Sequence, residues 1–381
     1  MMKGVNPREQ RGWMIAHTEG QFFRMDEDHY RVRSQSSGGY YSVDNTRIGW
    51  KCSCPDHRFR GVKCKHIWAI QISLGIRQQV EAKRVLGPVT ITGCPYCGSE
   101  DIVKAGVRHN KRGEVQRFAC KTCKKVFSKD LGFKGMRHDP QAITTAMQLY
   151  FSGASLRNTQ RTLKLIGTAV SHQTISNWIS KYTGIMKAYV DNIKPDVSST
   201  WRADEIYVKI KGDMKYLFAM MDDETRYWIA QEVADSKDRH DAKNLFQNAK
   251  DIAGKTPETL ITDGLPSYHD AFNKVFWTRQ NPRSQHCNAI KFKGPADNNK
   301  MERINGEIRD REKTMRGLKV KETSILQGMQ IFHNYIRPHE GLDGRTPAEA
   351  CGIEIKGENK WITLIENASA VNAQTMSVKP I

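Results

Sequence analysis

The sequence has no long apolar runs, and acidic residues are scarce beside basic ones. Its mean hydropathy is −0.63, and no stretch reaches the roughly 20 apolar residues that a membrane-spanning helix requires. The first residues include Lys3, Arg8 and Arg11 and lack the apolar segment of a secretory signal peptide. These absences predict an intracellular protein, cytoplasmic or nucleoid-associated, with no membrane partner.

The shortage of acidic residues is confined to the first half of the chain. The 381 residues include 60 Lys and Arg against 41 Asp and Glu, a formal net charge of +19. Residues 1–200 hold 32 basic and 15 acidic residues (net +17), whereas residues 201–381 hold 28 and 26 (net +2). Lys and Arg gain affinity for nucleic acids by displacing condensed counterions. The asymmetry predicts that the N-terminal half binds a polyanion; the alternative is that the charge serves solubility alone.

A disulfide framework is not expected in an intracellular protein, so the nine cysteines are better explained as metal ligands or reduced thiols. The first group is Cys52, Cys54, Cys64 and His66, a C-x-C followed by a C-x-H. Four such ligands fit a closed tetrahedral Zn²⁺ site. With a strand-like segment before it and a helical pattern after it, the group resembles the SWIM zinc finger. His57 is an alternative ligand whose spacing fits less well, and chance clustering is the other explanation.

The second group consists of two C-x-x-C pairs, Cys94 with Cys97 and Cys120 with Cys123. The residues between the pairs have the pattern of a β-hairpin, which is the layout of a zinc ribbon. A redox role is the alternative, but no thioredoxin-like βαβ pattern surrounds the cysteines. Four protein ligands leave no open position for water, so both zinc ions are expected to be structural. The hairpin is rich in Lys and Arg, which position a protein on phosphates without reading sequence.

Three helices with cap residues are predicted between residues 139 and 185. Asp139 precedes a proline at the first helical position, and Ser155 and Ser171 are N-caps of the second and third helices. In a helix-turn-helix the last helix enters the major groove. Its exposed N-terminal residues would be the DNA contacts: His172, Gln173, Ser176 and Asn177. The alternative is a three-helix connector without DNA contacts.

From Trp201 onward the pattern changes to alternating strands with intervening helices. Asp204 lies on the apolar parity of its strand, and Asp263 directly follows the apolar strand that ends at Thr262. Glu302 begins a long helical pattern in which Arg309 and Arg316 lie on the same shoulder as candidate phosphate contacts. Three adjacent strands, a helix and a further strand predict a mixed α/β sheet, as in the ribonuclease H-like fold.

Residues 201–353 resemble the catalytic domain of DDE transposases of insertion sequences, which are relatives of retroviral integrase. The resemblance rests on four sequence motifs, which are Trp-Arg-Ala-Asp204-Glu, Thr-Asp263-Gly, Asn-Asn-Lys-Met-Glu302-Arg-Ile-Asn, and the segment from His333 to Leu342 followed by Thr346-Pro347. It implies that Asp204, Asp263 and Glu302 hold two Mg²⁺ ions, with Mn²⁺ as an alternative, and that the protein cuts element ends and joins the freed 3′-OH to target DNA. It also implies double-stranded DNA as the partner and assembly as a homo-oligomer on that DNA.

Other carboxylates near the triad are less suitable. Glu205 adjoins Asp204 but has the opposite strand parity, and Glu307 points about 140° away from Glu302 around the helix. Asp297 precedes the helix and could act only behind the ligands. Three further side chains are weaker candidates for DNA contact, with packed or solvated side chains as the alternative: His286, Lys300 and Arg303.

The predicted fold class is therefore α/β, a ribonuclease H-like mixed-sheet catalytic domain preceded by two zinc modules and an all-α helix-turn-helix domain. The predicted boundaries are 1–85 for the SWIM-like finger, 90–130 for the zinc ribbon, 137–188 for the helix-turn-helix, 189–200 for a linker, 201–355 for the catalytic core and 356–381 for a weakly patterned tail. Two other functions stay open: a zinc-dependent DNA-binding regulator with an inactive core, and a hydrolytic nuclease without strand transfer.

Overall fold

The computed structural model describes residues 6–18, 21–25, 28–36, 38–81, 84–110, 113–128, 132–278, 283–288, 299–315, 318 and 323–377. The chain divides into two compact units. The first contains Met1–Arg84 and Thr183–Ile353, and the second contains Val85–Tyr182 and Glu354–Ile381. Among the helices described, none has both the length and the apolarity needed to cross a bilayer.

The N-terminal part of the first unit is a small module in which three helices accompany a four-stranded antiparallel sheet of order β1-β2-β3-β4. The elements are α1 (Pro7–Ala16), β1 (Phe22–Arg24), β2 (His29–Arg33), β3 (Tyr40–Thr46), β4 (Gly49–Cys52), α2 (Pro55–Arg60) and α3 (Lys65–Glu81). Val32, Val43 and Ile67 form its core. α1 packs closely on α3 because Gly12 has no side chain; a Cβ there would lie 2.4 Å from the Cβ of Trp68.

The second unit begins with a short strand and a three-stranded antiparallel sheet of order β6-β7-β8, followed by three helices. The elements are β5 (Val85–Leu86), β6 (Ile102–Asn110), β7 (Gly113–Cys120), β8 (Val126–Ser128), α4 (Pro140–Phe151), α5 (Leu156–Leu165) and the first part of α6 (His172–Val190), whose residues from Thr183 onward belong to the first unit. The three predicted caps are present: Asp139 accepts a hydrogen bond from the backbone N–H of Gln141, Ser155 from that of Asn158 and Ser171 from that of Thr174.

The stretch between α6 and the next strand is shorter than the linker predicted at 189–200. α6 continues to Val190, because Tyr189 and Val190 are buried and extend the apolar face of the helix.

The core of the first unit is a five-stranded mixed sheet of order β11-β10-β9-β12-β13. Its elements are β9 (Thr200–Ile210), β10 (Asp213–Asp222), β11 (Trp228–Ala234), α7 (Arg239–Ala253), β12 (Thr259–Ile261), α8 (Pro266–Val275) and β13 (Gln285–Cys287). β9, β10 and β11 are antiparallel neighbours, whereas β12 is parallel to both β9 and β13. The predicted mixed α/β core is confirmed, and the strand order fits the ribonuclease H-like fold.

Three further α-helices complete this unit: α9 (Asn299–Met315), α10 (Ser324–Ile331) and α11 (Pro347–Ala350). α9 lies along β9 and buries Met301, Ile304 and Ile308. Beyond the end of α9, the backbone N–H of Leu318 donates to the carbonyl of Lys209 at 2.7 Å. These contacts hold the helix that carries Glu302 against the strand that carries Asp204.

The C-terminal residues 356–381 were expected to be a weakly patterned tail, but the structure places a helix in them. β14 (Glu354–Ile355) pairs in parallel with β5, and α12 (Lys360–Ser377) follows it. Trp361 is buried and its indole N–H donates to Gln148 of α4 at 2.9 Å. The helix is stabilised by packing on distant residues, and this contribution is not visible in its local sequence.

A buried carboxylate closes the turn between β10 and β11. Asp222 is 0% exposed. Its Oδ1 accepts from the backbone N–H of Ser198 at 2.8 Å and from the Ser198 hydroxyl at 2.6 Å. Its Oδ2 accepts from the backbone N–H of Thr225 at 2.8 Å and from the Thr225 hydroxyl. Four donors converging on one carboxylate compensate for the cost of burying its charge.

Replacing Asp222 by Asn should destabilise this core by about 2–4 kcal/mol, because an amide N–H₂ would face donors and leave them unsatisfied. The measurement is urea unfolding followed by tryptophan fluorescence, to which Trp201, buried beside the turn, contributes. Asp213→Asn at the exposed start of the same strand is the matched control and should leave the midpoint unchanged. Equal midpoints for the two variants would contradict the role given to Asp222.

A buried histidine, His333, lies where α10 continues into a π-helical turn (Phe332–Ile336), and the half-buried His339 follows three residues after that turn. His333 is 5% exposed, and its Nε2 lies 2.9 Å from the carbonyl of Arg226, so the neutral ring donates from Nε2. Burial lowers the pKa of His333 to about 4. Burial, together with the neighbouring His333, lowers the pKa of His339 to about 4 as well.

These two histidines should make the first unit less stable as the pH falls. The unfolded chain binds their protons near the ordinary pKa of 6.5, whereas the folded chain binds them only near pH 4. Their stabilising contribution is therefore present above pH 6.5 and is lost between pH 6.5 and 4. His339→Gln should reduce the pH dependence of the unfolding free energy, measured by urea titrations at pH 7 and pH 5. His109→Gln, at an exposed site, should leave this pH dependence unchanged. The same pH dependence in both variants would contradict the role given to His339.

Candidate active site

Asp204 lies in the middle of β9 and is held on two sides. Its Oδ2 accepts a hydrogen bond from the side-chain amide of Asn305 at 2.8 Å, and its Oδ1 accepts from the backbone N–H of Glu205 at 3.0 Å. Asn305 is 4% exposed and sits on α9. The contact therefore fixes both the orientation of the Asp204 carboxylate and the position of the helix beside it.

Asp263 follows β12 by two residues, at the carboxyl end of the strand. Its Oδ1 accepts from the backbone N–H of Leu265 at 3.1 Å, which turns the chain into α8. Gly264 adopts φ +87°, and a Cβ there would lie 2.6 Å from the carbonyl oxygen of Asn288. Glycine at this position lets the chain turn sharply and leaves the Asp263 carboxylate exposed at the sheet edge.

The structure brings Asp204 and Asp263 together, and it adds Glu205 to them. One carboxylate oxygen of each of the three residues lies within 4.8 Å of the other two. β12 pairs with β9 only as far as Arg202, so the strands separate just before the acidic pair. The prediction from strand parity that Glu205 is unsuitable was wrong. The longer side chain of Glu205 lies where β12 no longer pairs with β9, so its carboxylate can approach those of Asp204 and Asp263.

Glu205 is buried and hydrogen-bonded on both oxygens. Its side chain is 4% exposed, and its Oε1 lies 2.6 Å from Nζ of Lys237. The hydroxyl of Tyr268 donates to Oε2 at 2.9 Å. The hydrogen bond to Glu205 raises the pKa of Lys237. Burial, followed by the charge of Glu205, raises the pKa of Tyr268 well above its ordinary value, so the phenol stays a donor.

Glu302 lies in the first turn of α9 and is exposed. It is not a member of the group of carboxylates within 4.8 Å, although it belongs to the residues described. It stands one turn before Asn305, about 60° away around the helix. The helix start is anchored by Lys300, whose Nζ lies 2.9 Å from Oδ1 of Asp223. The contact of Asn305 with Asp204 thus holds the first turns of α9 beside β9, while Glu302 is exposed.

The other predicted DNA contacts and alternative carboxylates on and around α9 differ in their exposure. Arg309 and Arg303 are exposed, and Glu307 forms an ion pair with Arg337 at 2.6 Å. Arg316 and Asp297 lie outside the described residues.

His286 and Lys300, both weaker candidates for DNA contact, are engaged within the protein. Nε2 of His286 lies 2.9 Å from the hydroxyl of Thr262, and its ring stacks on Phe272. Burial lowers the pKa of His286. Lys300 is paired with Asp223. Both are better explained as packed side chains that support the strand end and the helix start.

The donor set at the sheet edge fits a divalent cation with a preference for oxygen. Asp204, Glu205 and Asp263 offer only carboxylate oxygens, the ligands that Mg²⁺ and Mn²⁺ favour. Three carboxylates this close repel one another when all are ionised. A cation between them would relieve that repulsion.

The first cysteine group forms a buried cluster. Cys52, Cys54, Cys64 and His66 each place one ligand atom within 4.8 Å of the others. Nδ1 of His66 lies 3.8 Å from the sulfur of Cys52 and 3.9 Å from that of Cys64. Neighbouring ligands of a tetrahedral zinc ion are separated by about 3.8 Å. His57 is not a member of this group; its Nδ1 lies 2.8 Å from the carbonyl of Val62.

The second cysteine group joins the start of the β6-β7-β8 sheet to the end of β7. Cys94 and Cys123 are 3.5 Å apart, and Cys97 and Cys120 are 3.6 Å apart, between sulfur atoms. These distances are too long for disulfides and fit ligands of one metal. The backbone N–H of Cys123 donates to the sulfur of Cys120 and lowers its pKa to about 6, which favours the thiolate that zinc binds.

The exposed start of α6 carries the predicted DNA contacts. His172, Gln173 and Asn177 are exposed and Ser176 is half-buried. The side-chain amide of Gln173 donates to Oδ1 of Asn177 at 3.0 Å, so the two amides are held one turn apart. The opposite side of this part of the helix is buried; it consists of Ile175, Trp178 and Ile179.

Known proteins similar to this chain point to a single class. Residues 198–339 match the family model described as a DDE domain. The transposase for insertion sequence element IS257 in transposon Tn4003 of Staphylococcus aureus is 29% identical over 159 residues, which cover 41% of this chain and 69% of that protein. The iso-IS1N protein InsA of Shigella dysenteriae is 33% identical over 84 residues, which cover 22% of this chain and 87% of that protein.

Among solved structures, the integrase catalytic core domain of HTLV-2 in complex with magnesium is 16% identical, covering 42% of this chain and 97% of that one, with a TM-score of 0.30. At that score the structural likeness is too weak to add to the sequence matches. The DDE-domain match covers Asp204, Asp263 and Glu302, and the relatives are insertion-element proteins; the chain belongs to the DDE transposases of insertion elements.

Proposed function

We propose that this protein cuts DNA at the ends of an insertion element and joins the freed 3′-OH to target DNA. One observation carries the proposal: Asp204 and Asp263, 59 positions apart in the sequence, place carboxylate oxygens within 4.8 Å of each other. They do so at the carboxyl end of β12, where β12 separates from β9 and a DNA strand can approach. Carboxylates gathered in this way are suited to phosphodiester chemistry.

In this proposal Asp204, Asp263 and Glu302 hold two Mg²⁺ ions, with Mn²⁺ as an alternative. When bound, the ions activate the attacking oxygen and stabilise the leaving oxygen of the phosphodiester. Asn305 orients the Asp204 carboxylate from α9. The exposed Glu302 reaches the same place by a change of side-chain rotamer, since its helix is already held against β9. Arg309 and Arg316 contact DNA phosphates.

The cysteine clusters are proposed to hold two structural zinc ions. Cys52, Cys54, Cys64 and His66 would bind one, in a SWIM-like finger at residues 1–85. Cys94, Cys97, Cys120 and Cys123 would bind the other, in a zinc ribbon at residues 90–130. The support is the sulfur–nitrogen and sulfur–sulfur spacing in the two clusters. With all four positions taken by protein ligands, these ions would stabilise the small modules rather than take part in the reaction.

Residues 137–188 are proposed to be a helix-turn-helix domain that binds the element ends. His172, Gln173, Ser176 and Asn177 would face the major groove, where Gln and Asn pair with adenine through two hydrogen bonds. The basic residues of the ribbon would contact the backbone of the same duplex. Because two ends must be handled together, the protein is expected to act as a homo-oligomer on double-stranded DNA, associated with the nucleoid. Residues 201–355 would form the catalytic core.

A second candidate function is a DNA-binding regulator with an inactive core. The observation in its favour is that the Glu302 carboxylate is exposed and outside the group formed by Asp204 and Asp263. A hydrolytic nuclease would need the same metal ligands and would differ only in using water as the nucleophile throughout. An assay that follows both cleavage and joining separates the three.

Replacing Asp204 by Asn should abolish joining of an element-end oligonucleotide to a plasmid target in Mg²⁺, a loss of about a thousandfold or more, because the carboxylate would no longer hold the metal. DNA binding, measured by fluorescence anisotropy, should persist, because the substitution changes none of the proposed DNA contacts on α6. Asp213→Asn at an exposed position of the same sheet should retain joining. Wild-type protein that binds DNA but never cleaves it would favour the regulator, and cleavage without joining would favour the nuclease.

The purified protein should contain two zinc ions per chain, measured by elemental analysis after extensive dialysis. Cys64→Ser and Cys97→Ser should each retain one, because each removes a ligand from a different four-ligand site. Cys287→Ser, outside both clusters, should retain two. If both cluster variants kept two zinc ions, the assignment of the ligands would be wrong.

A further inference from the structure

We infer that Glu205 is an additional ligand of the catalytic cation, and that the ammonium of Lys237 competes with that cation for the same carboxylate. This inference rests on the proposed function, since it concerns the same metal site. It differs from the expected triad, in which Glu205 has no part.

The reach of the side chain supports the first half of the inference. An oxygen of Glu205 lies within 4.8 Å of oxygens from both Asp204 and Asp263. Ligands on opposite sides of a Mg²⁺ ion are about 4.2 Å apart, since each Mg–O distance is about 2.1 Å. Small side-chain movements therefore bring all three carboxylates onto one ion. Glu302, one turn before Asn305, would complete the shell from α9.

The hydrogen bonds of Glu205 divide its two oxygens between two roles. Oε2 accepts from the hydroxyl of Tyr268, a fully buried residue that holds the carboxylate in place. Oε1 is bound by the Lys237 ammonium at 2.6 Å. A carboxylate that is 4% exposed needs a cationic partner, and Lys237 supplies it in the absence of a metal ion. Oε1 is therefore the oxygen that can exchange partners.

The surroundings of Lys237 let it leave Glu205 without becoming a buried, unpaired charge. Its side chain is 31% exposed, so it has access to water. Its Nζ also lies 5.5 Å from the ring centroid of Tyr207 and 5.3 Å from that of Tyr216, distances at which an ammonium is attracted to an aromatic face. When a divalent cation takes Oε1, the ammonium can stay over these rings at the surface, where it would meet DNA phosphate.

The roles inferred for Glu205 and Lys237 predict opposite effects of their substitution on metal affinity, which can be measured without any reaction. The probe is Mn²⁺ added to the zinc-loaded full-length chain, with free Mn²⁺ followed by electron paramagnetic resonance. Glu205→Gln should weaken Mn²⁺ binding at the site at least about tenfold, because loss even of a side chain that only hydrogen-bonds a metal ligand lowers metal affinity by about that factor. Lys237→Met should tighten binding several-fold, because the competing charge is gone. Glu258→Gln, at an exposed position just before β12, is the control and should bind like wild type.

The outcomes are distinct from those that test the proposed function. Wild-type affinity in Glu205→Gln, with binding lost in Asp204→Asn, would overturn this inference and leave the proposed function intact. Wild-type affinity in Asp204→Asn as well would overturn the proposed metal site itself. Unchanged or weaker binding in Lys237→Met would refute the competition. Retention of two zinc ions and an unchanged urea midpoint in each variant show that a loss of binding is not a loss of folding.

Discussion

The proposed metal site depends on where β12 separates from β9. The two strands are paired only along three residues, ending at Arg202, and the two acidic residues of β9 follow directly. If the pairing continued, the backbone of β12 would fill the space beside Asp204. Because it stops, the sheet opens at the carboxyl end of β12, where Asp263 lies. Open α/β sheets commonly bind ligands outside the carboxyl ends of their strands.

Three carboxylates lie close together at that opening, and side chains from distant parts of the chain hold two of them in place. Asn305 binds Asp204 from α9, and Lys237 and Tyr268 bind Glu205 from the opposite side. The neutral amide and phenol orient carboxylates without cancelling their charge, whereas the ammonium of Lys237 offsets the charge of Glu205 directly. The site is thereby preorganised for a cation, which would replace repulsion among three anions with attraction to a common centre.

The sequence predicts the parts of the molecule that depend on neighbouring residues. The caps at Asp139, Ser155 and Ser171 are visible because a cap acts within three residues of itself. The cysteine groups are visible in the sequence because their proposed ligands occur in pairs only two or three residues apart. Asp204 and Asp263 are visible because an acidic residue within or directly after an apolar strand is unusual.

The features that were missed depend on contacts between residues far apart in the sequence. Glu205 looked unsuitable because strict alternation assumes continuous pairing, which ends at Arg202 in the real sheet. No local pattern connects it with Lys237 or Tyr268. α12 looked like a tail because its stabilising contacts, such as that of Trp361 with Gln148, are made with residues more than 200 positions earlier.

The pairing of β5 with β14 has a consequence for biosynthesis. The second unit is assembled from two stretches of chain, Val85–Tyr182 and Glu354–Ile381, separated by the segment that contains all five strands of the mixed sheet. On the ribosome, its first stretch must wait for the intervening segment to be translated before β14 and α12 can dock. A nascent chain that stalls before β14 would hold the complete mixed sheet but an incomplete second unit, so emergence of β14 and α12 from the exit tunnel is the step that completes that unit.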